Sequence, residues 1–314
     1  MGLGISVVIP VYNEAESLRE VQRELAEALG RTGKSWEVLY VDDGSRDGSD
    51  RVIAELTSAD RRVRGLSFRR NFGKSAALAV GFRAARGDWV MTMDADLQDD
   101  PSELPKLIEA LEGGYDLVSG WKMQRRDPIS KRLPSRLFNA VTAKVVGIHL
   151  HDFNCGFKLY RRQVVESIEV YGELHRFVPA LAHWRGFRVG EVGVNHRPRR
   201  YGHSKFGAAR FVNGFLDLLS AAFLSTSALK PLHLFGRVGL ISLFLGTGLG
   251  VYFVVLWFGG EPIRVRPLML FGAGLVLLGI QLILMGLLGE MIARLGVSHA
   301  DYPIRERYNL DTNA

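Results

Sequence analysis

The chain has 314 residues, of which 47% are hydrophobic, and a net charge of +7. That length holds one medium domain with an appendage, or two small domains, and the positive charge suits anionic partners such as nucleotides, lipid phosphates or nucleic acid. The single cysteine, Cys155, excludes an internal disulfide, is compatible with a reducing compartment, and reads as a small packing residue rather than a nucleophile.

The first apolar segment, residues 6–10, is short, ends in Pro10 and has no basic leader, so it reads as a buried strand and not as a signal peptide. The predicted elements then alternate. Residues 14–29 read as an amphipathic helix, 37–41 as a buried strand, 50–58 as a helix and 63–68 as a strand. A helix rich in small residues follows over 74–85, then a strand over 89–93, a helix over 101–111 and a strand over 116–119. Residues 151–200 continue the same α/β domain. Such alternation implies a mostly parallel, Rossmann-like sheet covered on both faces, with ligands bound at the carboxyl ends of the strands. Two acidic pairs, Asp42/Asp43 and Asp94/Asp96, fall at those ends.

Two basic clusters follow, over residues 122–136 and 196–205. They serve either as solvated or phospholipid-binding surface charge, or as the positive field that brings two anionic substrates together. Residues 206–236 are apolar but keep Arg210, Asn213 and Asp217, and read as amphipathic helices in a membrane interface. Residues 238–258 and 267–289 carry no charge, and each is long enough to cross a hydrocarbon core. A buried hairpin in a soluble core is the plainer reading, and the length of the uncharged runs argues against it. The short linker makes the pair a membrane hairpin, so the domain at 1–205 and the tail at 294–314 lie on one side. Basic flanks place that side in the cytoplasm, although Arg264 and Arg266 lie on the other. Gly246-Thr247-Gly248-Leu249-Gly250 superficially resembles a dinucleotide loop, but no strand precedes it and helix packing explains it better. The small-residue face from Gly272 to Gly279 packs either within the hairpin or between subunits of a homo-oligomer.

Asp94-Ala95-Asp96 carries the sharpest chemistry. Two carboxylates one residue apart at a strand end can share a divalent cation, Mg²⁺ or Mn²⁺, that bridges a diphosphate; the plainer role is a helix cap. Asp42-Asp43-Gly44-Ser45 reads as a turn capped by Ser45 or Asp47, as a carboxylate that meets a nucleotide base or ribose, or as both.

These segments in this order resemble family 2 glycosyltransferases with the GT-A fold. The resemblance is carried by Val8-Ile9-Pro10-Val11-Tyr12-Asn13-Glu14, Asp42-Asp43-Gly44-Ser45, Asn71-Phe72-Gly73-Lys74 and Asp94-Ala95-Asp96-Leu97-Gln98. Asn154-Cys155-Gly156-Phe157-Lys158, Tyr201-Gly202-His203-Ser204-Lys205 and Gly286-Leu287-Leu288-Gly289-Glu290 extend it over nearly the whole chain, in the branch that acts on polyprenyl phosphates such as dolichyl and undecaprenyl phosphate.

The resemblance implies roles. Pro10, Tyr12, Glu14, Asp43 and Lys74 line the nucleotide site, with Asp42 nearby. Asp94, Asp96 and Gln98 hold metal and diphosphate, with Ala95 between the carboxylates. Lys122 stands where the family usually has an arginine, keeping the charge and losing the bidentate geometry. Arg125 and Arg136 match basic positions near the acceptor phosphate. Asp152 matches a carboxylate that either takes a proton or orients basic side chains, and with Asp96, Lys122, Arg125 and Arg136 it makes up the catalytic group. Arg200, Ser204 and Lys205 match a phosphate-facing loop. Glu173-Leu174-His175-Arg176, where other members carry an acidic catalytic motif, shapes the acceptor site or merely starts a helix. The expected reaction is inverting transfer of a sugar from a UDP- or GDP-linked donor to a polyprenyl phosphate at the cytoplasmic face of the membrane. A processive polysaccharide synthase is one alternative, but Trp184-Arg185 reverses the Gln-x-x-Arg-Trp motif and more spans are needed. A non-catalytic scaffold that retains a nucleotide-binding fold is another, opposed by the intact acidic motifs. A nucleic-acid partner is not expected, since no recognised module accompanies the charge.

Overall fold

The computed structural model describes residues 3–122, 142–143, 146–172, 174–197, 231–260 and 267–296. They form two compact units, residues 3–197 and residues 231–296. The sites expected at Arg125, Arg136, Glu173, Arg200, Ser204 and Lys205 lie outside the described residues.

The first unit is built on one seven-stranded sheet. In chain order its elements are β1 (Ile5–Val11), α1 (Leu18–Gly30), β2 (Trp36–Asp42), α2 (Ser49–Ala59), β3 (Val63–Ser67), α3 (Lys74–Ala84), β4 (Trp89–Thr92), α4 (Leu104–Glu112), β5 (Leu117–Lys122), β6 (Lys158–Arg161), α5 (Arg162–Ser167), α6 (Val178–Trp184) and β7 (Val189–Val194). The strand order is β3-β2-β1-β4-β6-β5-β7. Every pair is parallel except those made by β6, which runs antiparallel to both β4 and β5. The chain winds outward from β1 through β2 to β3, then returns to place β4 on the other side of β1. Strand order therefore reverses between β1 and β4, and a crevice opens there at the carboxyl ends.

Alternation along β1 explains its burial on both faces. Ile5, Val7, Ile9 and Val11 join one core cluster with Leu18, Val21 and Leu25 of α1 and Leu104, Leu107 and Leu111 of α4. Val8 points the other way and packs with Leu39, Val41, Ala77, Leu78 and Phe82. The small residues of α3 serve this contact, because a Cβ on Gly81 would come within 2.3 Å of Val8 Cγ1.

Three element boundaries differ from the sequence reading. Helix α1 starts at Leu18 rather than at residue 14. The N–H groups of Asn13, Glu14 and Ala15 are drawn to the side chains of Ser45, Ser49 and Asp47, at 2.9, 3.0 and 2.9 Å, so these residues turn instead of coiling. The helix expected from residue 101 opens with a 3-10 turn, Pro101–Glu103, whose first N–H groups are capped by Asp100. Strand β5 runs on to Lys122 because β7 pairs with it through Val194.

The second unit is a hairpin of two helices, α7 (Pro231–Phe258) and α8 (Pro267–Gly296). Residues 231–236, read from sequence as the end of the interfacial segment, are the first turns of α7. Helix α8 continues past residue 289 to Gly296, into the segment read as tail. With a rise of about 1.5 Å per residue, each helix exceeds the roughly 30 Å of a hydrocarbon core. Their outer faces are apolar and bare, with Phe244, Phe258 and Leu277 at 75%, 78% and 68% exposure, a surface suited to lipid and not to water. The inner faces meet through glycine. A Cβ on Gly239 or Gly279 would lie 2.8 or 2.7 Å from the other's carbonyl oxygen, and one on Gly246 would lie 2.7 Å from the oxygen of Gly272. The small-residue face is thus used inside the hairpin, and Gly246 belongs to helix packing, while Gly248 and Gly250 face open space.

Gly246→Ala should destabilise the hairpin by about 1–3 kcal/mol through overpacking. Gly248→Ala, whose added methyl meets nothing within 4 Å, should be neutral or slightly stabilising. Thermal unfolding of the two variants in detergent, followed by helical circular dichroism, checks the contrast.

Candidate active site

The crevice is assembled from the turns after β1, β2 and β4. Asp42, the last residue of β2, is buried and spends its carboxylate on structure. Oδ1 accepts from the Ser45 N–H at 3.0 Å and Oδ2 from the Ser67 hydroxyl at 2.7 Å. Asp43 holds a different segment. Its Oδ1 accepts from the Phe72 N–H at 2.7 Å and its Oδ2 from the Gly73 N–H at 2.9 Å. This staple fixes the Asn71-Phe72-Gly73 loop and with it the start of α3. Gly44 makes the close approach possible. It sits at φ +69, and a Cβ there would meet the Arg70 carbonyl carbon at 2.4 Å. Burial raises the Asp43 pKa, against the two backbone hydrogen bonds that favour its anion.

The turn after β1 is sewn to the turn after β2. Besides the three N–H groups above, the Asn13 carbonyl oxygen of the side chain accepts from the Arg46 N–H at 2.8 Å, and Asn13 adopts a left-handed φ of 54. Pro10 lines the crevice floor, and Tyr12, just after β1, is partly exposed.

Asp94, Ala95 and Asp96 follow β4. Ser17 donates from its hydroxyl to the Ala95 carbonyl at 2.6 Å, tying the motif to the start of α1. Leu97 takes a left-handed φ of 61, unusual for a branched side chain, and the Asp96 carboxylate accepts from the Gln98 N–H at 3.2 Å. Asp96 and Ala95 are buried, whereas the Asp94 side chain is about one-third exposed. Lys74 Nζ lies 2.5 Å from Asp94 Oδ1. Burial opposes the Asp94 charge, but Lys74, with Lys122 and Lys158 behind it, outweighs that cost and holds the pKa at about 2. Gly156 makes room for this carboxylate, since a Cβ at residue 156 would lie 2.7 Å from it.

Three lysines therefore converge on one acidic turn. Lys122 ends β5; burial works against its charge, yet Asp99, Asp94 and Asp152 raise its pKa, so it is a cation at neutral pH. Lys158 opens β6, opposite Thr92, and is buried with its ammonium group on the Cys155 carbonyl. Burial lowers its pKa, and the nearby Lys74 pushes the same way. Cys155 is buried and its thiol is pushed up to about 12, which suits a packing residue. Asp152 is buried just ahead of this segment and accepts from the Asn154 N–H at 3.1 Å.

A small cavity of about 10 Å³ lies among Lys74, Asp94, Lys158, Tyr160 and His175. His175 lies against the start of α3, with its Nδ1 2.9 Å from Ser75 Oγ. Burial, then Lys74, drive its pKa down to about 2, so the ring is neutral. Residues 196–197, at the head of the second basic cluster, dock on the far side of the acidic turn. The Arg197 N–H donates to the Gln98 carbonyl at 2.8 Å, and its guanidinium reaches Glu24 at 2.6 Å and Asp100 at 2.8 Å.

Lys158 has no role of its own in the sequence reading, where His175 belongs to the Glu173-Leu174-His175-Arg176 segment and Arg197 to the second basic cluster. Lys158 carried a signal, a lysine opening a strand of otherwise buried residues. The placement of His175 depends on a contact across 100 residues that no local pattern carries.

Among the described residues, no group of three or more His, Cys, Asp or Glu side chains comes together as a metal site. Two carboxylates at a crevice do fit a hard cation whose remaining oxygen ligands come from a diphosphate and water, the usual way in which Mg²⁺ is held beside a nucleotide. Gln98 is placed beside them by its N–H bond to Asp96.

A mixed, mostly parallel sheet with acidic turns after β2 and β4 is the GT-A architecture of glycosyltransferases. The chain belongs to glycosyl transferase family 2, whose pattern matches residues 6–169, and residues 230–295 match the GtrB C-terminal hairpin. It is similar to the dodecaprenyl-phosphate galacturonate synthase of Rhizobium johnstonii, with 36% identity covering 93% of this chain and 88% of the relative. It is also similar to the undecaprenyl-phosphate 4-deoxy-4-formamido-L-arabinose transferase of Klebsiella pneumoniae, with 37% identity covering 97% and 91%. Among solved structures, glucosyl-3-phosphoglycerate synthase from Mycobacterium tuberculosis, in complex with Mn²⁺, uridine diphosphate and phosphoglyceric acid, shares the fold. The TM-score is 0.57 at 21% identity, over 73% of this chain and 82% of that one. With the hairpin, this makes the protein a membrane glycosyltransferase.

Asp43→Asn tests the staple. The amide keeps one acceptor but turns a donor toward a backbone N–H, which should cost about 1–3 kcal/mol. A lower melting temperature together with a raised donor KM is the expected result.

Proposed function

We propose that the protein transfers a sugar from a UDP- or GDP-linked donor to a polyprenyl phosphate, with inversion at the anomeric carbon. The observation that carries this reading is the convergence of Lys74, Lys122 and Lys158 on the Asp94-Ala95-Asp96 turn, at the reversal of strand order. The names of the relatives, matched over nearly their full length, support the lipid acceptor.

In this reading the turns after β1 and β2 receive the nucleotide, with Tyr12 against the base and the stapled loop beside the diphosphate. Asp94 and Asp96, with Gln98 alongside, would hold a divalent cation, Mg²⁺ or Mn²⁺, which would supply Lewis acidity to the leaving diphosphate. Lys122 and Lys158 supply fixed positive charge to the groups that meet there. The bond between the anomeric carbon and the diphosphate oxygen breaks as an acceptor phosphate oxygen attacks from the opposite face. The departing oxygen keeps the electron pair. No proton has to move, because a phosphate monoester is already anionic near neutral pH. Asp152 then orients cations rather than acting as a base, and Arg125, Arg136, Arg200, Ser204 and Lys205 complete the phosphate field. The hairpin anchors the chain in the membrane, with the cytoplasmic side given by the basic flanks.

Purified protein in detergent, offered radiolabelled nucleotide sugars and undecaprenyl phosphate, should form a glycolipid with Mn²⁺ or Mg²⁺ and none with chelator. Asp96→Ala should lower the rate by about 100-fold or more, the scale of losing one fixed electrostatic stabiliser. Absence of lipid product from every donor sinks the reading.

A further inference from the structure

We propose that Lys74 is the resident cation of the metal-free site: it holds Asp94 until the divalent ion arrives, then transfers to the donor diphosphate, so that metal and donor bind cooperatively. The inference rests on the functional reading above and deepens it.

Four observations carry it. The first is the ion pair itself, with Lys74 Nζ 2.5 Å from Asp94 Oδ1 and both side chains about one-third exposed. It is reachable from the crevice and not sealed in the core. Secondly, the two partners differ in freedom. Asp94 is fixed, confined against the backbone of Gly156, where even a methyl group would collide. Lys74 is anchored only at its base. Its backbone follows Gly73, which has φ +95 and whose N–H is held by Asp43, while the four-carbon stem beyond can swing.

Thirdly, the neighbours leave this task to Lys74. Lys122 answers first to Asp99, Lys158 is buried with its ammonium group on the Cys155 carbonyl, and the His175 ring is turned to Ser75. Lastly, the ligand set is short: among the described residues no third His, Cys, Asp or Glu groups with Asp94 and Asp96 as a metal site. A divalent ion needs the oxygen that Lys74 covers. Its arrival with a nucleoside diphosphate brings negative charge on the new phosphate oxygens, which is a new partner for the displaced ammonium group. Donor and metal thereby each remove an obstacle to the other.

The test is Mn²⁺ binding to the full-length protein in detergent, followed by the EPR signal of free Mn²⁺, alone and with UDP or, in a parallel titration, GDP. Lys74→Met should tighten nucleotide-free Mn²⁺ binding by about tenfold, the scale of one charge-assisted hydrogen bond no longer broken. It should also shrink the enhancement that the nucleotide gives. Lys74→Gln should behave alike, and Lys74→Arg, which keeps a cation on Asp94, should bind Mn²⁺ as the unaltered protein does. Unchanged or weaker nucleotide-free binding in both Lys74→Met and Lys74→Gln overturns the inference while leaving the transferase reading intact. Failure of the unaltered protein to bind Mn²⁺ with either nucleotide overturns both.

Discussion

Keeping the Asp94 carboxylate ionised at the end of a buried strand is the constraint on which the site depends. Desolvation disfavours the charge, and only nearby cations reverse it. Lys74, Lys122 and Lys158 reach this point from α3, β5 and β6, so three parts of the sequence are committed to one group. The topology follows from the same need. Antiparallel β6 inserts between β4 and β5 and sets Lys158 beside Thr92 and Gly156 beside Asp94. A parallel strand there would need a covering crossover and would enter the crevice from the opposite end.

The second acidic turn works by a different principle. Asp42 and Asp43 are adjacent, but alternation sends their carboxylates to opposite tasks. Asp42 closes its own turn and grips β3 through Ser67, while Asp43 reaches the loop ahead of α3. Of the two readings of this motif from sequence, these hydrogen bonds describe the turn former: Asp42 closes the turn and Asp43 holds the neighbouring loop. The staple also sets the base of Lys74, so the turn after β2 positions a side chain that acts at the turn after β4.

This division explains what was legible in the sequence. The order of strands and helices through β5 followed from apolar runs and periodicity, because each element is local and buried on a defined face. The starts of α1 and α4 were misjudged because side chains from Ser45, Asp47, Ser49 and Asp100 compete for the first N–H groups, and Ser45, Asp47 and Ser49 lie on another element. The acidic motifs and the hairpin were visible as patterns. The direction of β6, the ion pair of Lys74 and the seat of His175 were not, since each depends on where distant segments meet. The glycines of the hairpin fall between these cases. Their spacing announced close packing, and the paired approach of Gly239 to Gly279 decided that the contact lies within the hairpin.

The distribution of titratable groups bears on the kind of chemistry the crevice can do. A general base for a hydroxyl acceptor needs a pKa near neutrality. His175 has the chemistry for that role, but burial beside Lys74 takes it down to about 2, and a ring so weakly basic does not collect a proton from an alcohol. Asp94 is equally far from neutrality and is paired with an ammonium group. Neither His175 nor Asp94 is thus a proton carrier near neutrality, and both stand among fixed charges. That suits an acceptor that arrives already ionised, for which attack at the anomeric carbon needs placement and charge neutralisation rather than deprotonation. A phosphate monoester at the head of a membrane lipid meets that description, and the apolar hairpin in the same chain gives such a head a reason to be nearby.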